Sequence, residues 1–283
     1  MNTIEIQKLP FRTDPSVQEC ARIGLVVLAS DYTVEHEFRR VFTELQHLQV
    51  NRRQNNPSDP PASGIEFFTA RIANSPQVTT ETLADMQSRI TATTELILPG
   101  DTLDVVAYCC TSASVVLGEQ AVFDRLSAAQ PDAKFTTPIT ATMASLRELK
   151  ANRIVVLTPY QNQINEQIAV YLSSAGFDVA CFGSFDEEMD PVVAGIDAAS
   201  IEAGIEQLLE SVDDASPVEA VFVSCTSIRL LHALDAIEEK IGLPVITSNQ
   251  ALIWHCLQLA GRQATVTGSG GLLTSISDRR SAH

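Results

Sequence analysis

The 283-residue sequence has few basic residues and no long apolar run. No apolar run approaches the roughly 20 residues of a membrane-spanning helix, so we expect no membrane association of that kind. Lysine and arginine together number 19 against 35 aspartates and glutamates, which gives a formal net charge of −16. That charge argues against nucleic acid and anionic membranes as partners, because both select a cationic surface. The first residues show no basic segment followed by an apolar one, so we expect no signal peptide and a cytoplasmic location.

Metal and cofactor motifs are also scarce. Six cysteines are scattered along the chain, which favours free thiols in a reducing compartment over a disulfide framework. The five histidines lack the spacing of a metal site, although the neighbours His255 and Cys256 leave that alternative open. The glycine-rich residues 268–271 lack the lysine of a P-loop and a surrounding dinucleotide fingerprint, so they are predicted to form a loop. We therefore expect neither a metal nor an organic cofactor.

Apolar segments typical of strands alternate with segments typical of helices. Residues 22–28 and 153–157 are apolar runs of the kind buried on both faces of a parallel sheet. Other segments carry apolar residues at helical spacing, as residues 34–45 and 80–98 do. This alternation predicts a parallel α/β fold.

The pattern occurs twice along the chain. Each half opens on a strand that begins with Arg-Ile and later reaches a Cys-Thr-Ser triplet after an apolar run. We therefore predict two pseudo-symmetric lobes, each a parallel sheet flanked by helices, with the active site in the cleft between them. Residues 1–130 and 245–283 are assigned to the first lobe, and residues 131–244 to the second. The proline-rich residues 51–63 are predicted to be a surface loop, and residues 1–20 an arm on the surface or on a partner subunit.

The two triplets, residues 110–112 and 225–227, are the candidate catalytic motifs. The N-terminal end of a helix favours a thiolate, so we expect lowered pKa values for Cys110 and Cys225. The adjacent hydroxyls and free backbone N–H groups suit a carboxylate. Two opposed thiols can remove and donate protons without a cofactor. The alternative is that both cysteines only pack in the core, which is the role expected for Cys109.

These motifs resemble the aspartate/glutamate racemase superfamily, and within it the branch of maleate cis-trans isomerases and arylmalonate decarboxylases. Residues 105–112 and 224–227 are similar to the two catalytic cysteine motifs of that branch. Tyr160, in Thr-Pro-Tyr, is similar to a tyrosine that hydrogen-bonds substrate. The resemblance runs from about residue 22 to residue 260 and is closest, through residues 28–35, to the ectoine-utilisation protein A group. It implies a two-lobed α/β fold, and we expect a homodimer or a higher homo-oligomer.

Two positions depart from the maleate isomerase pattern. Those enzymes have asparagines that donate hydrogen bonds to the substrate carboxylate, where this sequence has Asp31 and Asp190. An ionised aspartate only accepts hydrogen bonds and repels a carboxylate. The sequence therefore predicts a substrate with an ammonium or amide N–H beside its carboxylate rather than maleate.

The residues and the resemblance together predict a cofactor-independent isomerase or racemase of a small carboxylate. An amino acid or N-acyl amino acid is the expected substrate, and ectoine catabolism is one expected setting. Cys110 and Cys225 are the predicted catalytic residues; the predicted substrate-binding residues are Asp31, Tyr32, Thr111, Ser112, Tyr160, Asp190, Thr226 and Ser227.

Two other functions stay open at this point. One is a maleate-type cis-trans isomerase in which Cys110 adds to the double bond. The other is a two-lobed metabolite-binding protein without catalysis. Decarboxylation in this branch normally needs a single thiol, so the presence of two argues against it.

Overall fold

The computed structural model describes residues 6–14, 19–55, 64–213, 216–262 and 265–274, with the backbone alone for residues 49–55. Most of the predicted proline-rich loop lies outside the described residues. Its first part was predicted wrongly, because helix α1 continues to Asn55. Parts of the predicted N-terminal arm also lie outside, whereas residues 6–14 are exposed and without regular structure.

The first sheet contains four parallel strands in the order β2-β1-β3-β4. Its strands are β1 (Ala21–Leu28), β2 (Ile65–Ile72), β3 (Val105–Cys109) and β4 (Lys134–Thr136). The helices along this part of the chain are α1 (Val34–Asn55), α2 (Thr80–Asp85), α3 (Ile90–Thr94), α4 (Thr111–Leu117), α5 (Glu119–Ala129) and α6 (Pro138–Glu148).

The second sheet repeats the arrangement, with four parallel strands in the order β6-β5-β7-β8. Its strands are β5 (Arg153–Thr158), β6 (Asp178–Ser184), β7 (Ala220–Val223) and β8 (Val245–Thr247). The helices are α7 (Asn162–Ser174), α8 (Asp190–Val193), α9 (Ala198–Ser211), α10 (Leu234–Ile241) and α11 (Ser248–Leu259). The predicted pair of parallel sheets flanked by helices is confirmed. Within the described ranges, no helix is long and apolar enough to cross a membrane.

The central strands of both sheets are buried on both faces, as their continuous apolar sequences require. Along β1, Ile23, Leu25, Val26 and Val27 have no exposed surface. In the second sheet, β7 is buried along its whole length. Ligand sites of parallel sheets form at the carboxyl ends of the strands. The ends of the buried strands β3 and β7 are therefore positions where a site can form.

The sheets do not divide the chain at the predicted lobe boundaries. Strand β4 pairs with β3 in the first sheet, and β8 pairs with β7 in the second. Residues 134–136 and 245–247 therefore belong to the opposite sheets from those that we assigned. After β8, helix α11 packs on β3, β4 and α6, so the chain crosses back to the first sheet. A strand of three residues, such as β4, is too short for a periodic signal.

The helix predicted over residues 80–98 is interrupted. The structure has α2, a 3-10 turn at Met86–Arg89 and α3, which ends at Thr94. The predicted apolar face is nevertheless buried, because its four members Leu83, Met86, Ile90 and Ile97 are each at most 3% exposed.

Candidate active site

The two predicted catalytic thiols line one cavity. Cys110 follows the last residue of β3, and Cys225 lies just beyond β7. The cavity is tight, with a volume of about 10 Å³. Its polar and thiol lining comes from Asn74, Ser75, Gln77, Thr82, Cys110, Ser112, Tyr160, Asp190, Cys225, Thr226 and Ser227, and its apolar lining from Leu28, Val78, Leu83 and Met86. The carboxyl edges of both sheets thus contribute to one small site.

Cys110 is held by the start of a helix. It is the N-cap residue of α4, with an extended backbone at φ −145°. Its Sγ atom lies 3.7 Å from the Ser112 hydroxyl, and its carbonyl oxygen accepts a 2.6 Å hydrogen bond from the Ser114 hydroxyl. The local helix therefore orients the first thiol.

Cys225 has a different backbone. Its φ angle of 125° lies in a region that residues with a side chain rarely adopt. The backbone N–H of Cys225 donates to the Ser248 hydroxyl over 3.0 Å, and the backbone N–H of Ser227 donates to Cys225 Sγ over 3.4 Å. Ser248 also bonds to the Thr111 hydroxyl at 2.9 Å, so one hydroxyl connects the two triplets.

The expected low thiol pKa values are wrong for this structure. Burial is the largest effect on both thiols and raises the pKa of Cys110 and of Cys225 to about 12. Hydrogen bonds from nearby groups oppose this rise only in part. The helix terminus is therefore outweighed by desolvation, and both thiols are protonated at neutral pH.

Tyr160 lies between the two triplets. It is buried at the end of β5, close to both Cys225 and Ser112. Burial, followed by the neighbouring thiols, raises the pKa of Tyr160 well above its usual value. Its hydroxyl is therefore a neutral donor that can orient a ligand between the two thiols.

Asp190 brings a buried carboxyl to the cavity. One of its oxygens accepts a short hydrogen bond from the Ser30 hydroxyl, and the other accepts from the Ser227 hydroxyl at 3.1 Å. Burial raises the pKa of Asp190, and the two hydroxyls partly offset that effect. None of the described lining residues is lysine, arginine or histidine. The cavity therefore offers an acceptor of hydrogen bonds and no cation for a second carboxylate.

Three predicted binding residues lie outside the lining. Oδ1 of Asp31 accepts hydrogen bonds from the backbone N–H groups of Thr33 and Val34, where it caps α1. Burial raises the pKa of Asp31 to about 6, although these N–H groups lower it. Thr111 is buried against Ser248, and Tyr32 is 60% exposed to solvent. The cavity thus brings together Ser112, Tyr160, Asp190, Thr226 and Ser227 of the predicted binding set.

The sequence interpretation missed one wall of the cavity. Asn74, Ser75 and Gln77 belong to the segment between β2 and α2. The Asn74 amide donates to the Ser30 hydroxyl over 2.8 Å, so it supports the hydroxyl that contacts Asp190. A signal for this wall existed, because polar residues that follow a strand at the carboxyl edge are candidates for a ligand site.

The same segment bridges the two halves of the molecule. The backbone N–H of Val78 donates to the Glu188 carbonyl over 2.9 Å, and that of Asp190 donates to the Pro76 carbonyl over 3.0 Å. We call the paired segments Pro76–Val78 and Glu188–Asp190 the clasp. The clasp holds the wall from the first half against the residue that carries the carboxyl.

Comparison with known proteins confirms the predicted resemblance to maleate isomerases and arylmalonate decarboxylases. The model of the arylmalonate decarboxylase family matches residues 56–273. The maleate isomerase of Nocardia farcinica (strain IFM 10152) is 27% identical over 260 residues, which cover 89% of this chain and 95% of that relative.

Solved structures agree with the fold. The maleate isomerase of Pseudomonas putida S16, a cysteine-to-alanine variant with maleate, has a TM-score of 0.77 at 23% identity, with 91% of this chain and 98% of that chain covered. A cysteine-to-serine variant of the Nocardia farcinica maleate cis-trans isomerase has a TM-score of 0.75 at 25% identity, with 90% and 98% covered. That variant carries a covalently bound succinylcysteine intermediate. These maleate isomerases therefore share the two-sheet fold of this chain.

Proposed function

Because this chain belongs to the arylmalonate decarboxylase family, we propose that it is a cofactor-independent isomerase of a small carboxylate. The observation that carries this proposal is the single cavity lined by Cys110 and Cys225 from the ends of two different sheets. Two thiols at one small ligand supply a proton donor and, once one of them has ionised, a proton acceptor.

The substrate that the cavity favours carries an ammonium or amide N–H beside its carboxylate. Asp190 can accept that N–H, whereas a second carboxylate would meet a buried acid with no lining cation to compensate it. The hydroxyls of Ser112 and Tyr160 line the cavity and are candidates to donate to the carboxylate. Amino acids and N-acyl amino acids have this pattern. We propose ectoine catabolism as one setting, on the sequence resemblance of residues 28–35 alone.

In the proposed reaction, Cys110 first loses its thiol proton to bulk water, and the resulting thiolate removes the proton from the carbon beside the carboxylate. The electron pair passes into the carboxylate, which hydroxyl donors stabilise. The Cys225 thiol then donates its proton to the opposite face of that carbon, which inverts the centre. The thiols exchange roles for the other enantiomer. A substrate ammonium in the cavity would also favour formation of the thiolate, because a nearby positive charge lowers the pKa of a thiol.

Exchange of the α-proton in D₂O tests this function. A panel of amino acids and their N-acyl derivatives is incubated with the protein, with maleate as the dicarboxylate for comparison. We expect deuterium at the α-carbon and loss of optical purity for at least one member of the panel. Efficient conversion of maleate to fumarate, with no exchange in any member, would contradict the proposed substrate class.

A maleate-type cis-trans isomerase is the second candidate, favoured by the succinylcysteine found in the Nocardia farcinica relative. In that reaction Cys110 Sγ bonds to one alkene carbon and Cys225 protonates the other. Rotation about the resulting single bond precedes elimination, which reforms the thiol and the double bond. Mass spectrometry of the Cys225→Ser variant after incubation with maleate would detect the adduct on Cys110.

A further inference from the structure

We propose that Glu37, which lies outside the cavity, is a positioning residue for Cys225. The need for such a residue follows from the backbone of Cys225. A residue with a side chain at φ 125° is strained and persists only when its surroundings hold it there. No regular helix begins after Cys225 until Leu234, so the holding contacts must come from other parts of the fold.

Side chains supply these contacts along the loop that follows β7. Asn249 Nδ2 donates to the Thr226 carbonyl over 2.9 Å. The Thr33 hydroxyl donates to the Ser227 carbonyl over 2.8 Å. The carbonyls of the two residues that follow Cys225 are therefore fixed by residues from distant elements, α11 and the residue that precedes α1.

Glu37 joins these contacts together. It lies on α1 and is 2% exposed. Its Oε1 atom accepts from the backbone N–H groups of Leu230 at 3.1 Å and Leu231 at 2.9 Å. Its Oε2 atom accepts from Asn249 Nδ2 at 2.9 Å. One carboxylate thus secures the far end of the Cys225 loop and the amide that holds Thr226.

The choice of a carboxylate is informative because burying one is costly. Glu37 lies among the apolar residues Val34, Phe38 and Val41 on the inner face of α1. Burial raises the pKa of Glu37 to about 7, while the three N–H donors act in the opposite direction. Three hydrogen bonds to one carboxylate, two of them from irregular backbone, offset part of this cost and fix the geometry of the loop. Within the described part of the chain, the side-chain hydrogen bonds of Cys110 are with Ser112 and Ser114, and not with Glu37 or Asn249.

The test measures the alkylation of each thiol by iodoacetamide in the Glu37→Gln variant. Peptide mass spectrometry gives separate rates for Cys225 and Cys110, so no substrate is needed and the result is independent of the proposed function. Loss of the charged acceptor loosens the loop. We expect Cys225 to react about fivefold faster relative to Cys110, the effect of weakening one charge-assisted hydrogen bond.

Glu35→Gln is the matched control. Glu35 lies on the same helix but forms ion pairs with Arg39 and Arg71 instead of contacts with the Cys225 loop. We expect it to leave the ratio of the two rates unchanged. Asn249→Ala removes the link to Thr226 without altering the carboxylate, so it tests the proposal even if Glu37→Gln does not fold.

The double variant Glu37→Gln/Asn249→Ala tests whether Glu37 acts on Cys225 through Asn249. If Glu37 acts through Asn249, Glu37→Gln should add little to the effect of Asn249→Ala. Equal changes at both thiols, no change at either, or fully additive effects would overturn the proposal.

Discussion

Cys110 and Cys225 occupy equivalent strand ends, yet their loops are built differently. Cys110 has an extended backbone and starts α4 at the next residue. Cys225 has a positive φ angle and precedes an irregular loop that lasts until α10. The first thiol is oriented by its own helix, and the second by side chains from α1 and α11.

This difference teaches that the twofold repeat extends to the sheets but not to the loops that carry the chemistry. The two strand orders correspond one to one. The second loop instead depends on contacts that cross between the halves, such as that from Thr33 to Ser227. Changes at the interface of the halves should therefore affect Cys225 more than Cys110.

The largest expected effect comes from removing either thiol. Cys110→Ala and Cys225→Ala should each lower the rate of isomerisation about 10²–10⁴-fold, the usual contribution of a general acid or base. Each variant should still exchange the α-proton of one enantiomer, because one base remains. Chiral chromatography measures isomerisation, and NMR measures exchange of the α-proton. Cys181→Ala, in a half-buried thiol that bonds to Ser211, is the control and should retain activity. Full activity in Cys110→Ala or in Cys225→Ala would rule out the symmetric two-thiol mechanism.

Replacement of Asp190 should change the pKa values of the two thiols by different amounts. After burial, the charge of Asp190 is the largest influence on the pKa of Cys225, whereas it ranks lower for Cys110. We expect Asp190→Asn to lower the pKa of Cys225 by about one unit and that of Cys110 by less. The pH dependence of iodoacetamide labelling measures both values. The same variant should turn over ammonium substrates more slowly and maleate faster. Identical shifts at the two thiols would show that the carboxyl does not distinguish them.

Glycine substitutions test the backbone contrast directly. At φ 125°, an alanine keeps the backbone strain, whereas a glycine has no Cβ atom and avoids it. Cys225→Gly should therefore have a free energy of unfolding about 1–2 kcal/mol greater than Cys225→Ala. At the extended Cys110, the order should reverse, because glycine there only adds freedom to the unfolded chain. Urea unfolding of the four variants gives the comparison; the same order at both sites would contradict it.

Asp31 should produce the smallest effect. Its pKa is raised from 3.8 to about 6, so the folded state holds a proton that the unfolded state releases. The free energy of unfolding contributed by this group therefore falls as pH rises through 6. Asp31→Asn keeps an oxygen to cap α1 and removes the titration. When the pH is raised from 5 to 8, the free energy of unfolding of the variant, measured with urea, should increase by about 1 kcal/mol relative to that of the unmodified chain. A constant difference at the two pH values would mean that Asp31 is ionised throughout.

The sequence predicted those parts of the structure that have a local signal. Buried strands show as continuous apolar runs, and the thiols follow two of them, so the sheets and the cavity of Cys110 and Cys225 could be anticipated. Strand β4 could not, because its three residues carry no periodicity. The break after α2 also left no signal, since its apolar face continues through the 3-10 turn.

The electrostatics of the site required the tertiary structure. A helix terminus predicts a reactive thiolate, but the depth of burial decides the pKa of Cys110, and burial depends on every element around it. Glu37 had a readable signal, because it stands three residues after Val34 and four before Val41, on the apolar face of its helix. Its partners Leu230 and Asn249 lie about 200 residues away and could not be identified from the sequence.

The clasp links access to the cavity with recognition in it. The backbone of Asp190 is part of the bridge, and Asp190 also lines the cavity. Any movement that separates the two segments to let a molecule leave also withdraws the carboxyl that would hold its N–H. A well-matched ligand therefore resists opening, whereas a poorly matched one departs before a proton is transferred. Residence time, rather than occupancy alone, becomes the quantity by which such a site can discriminate.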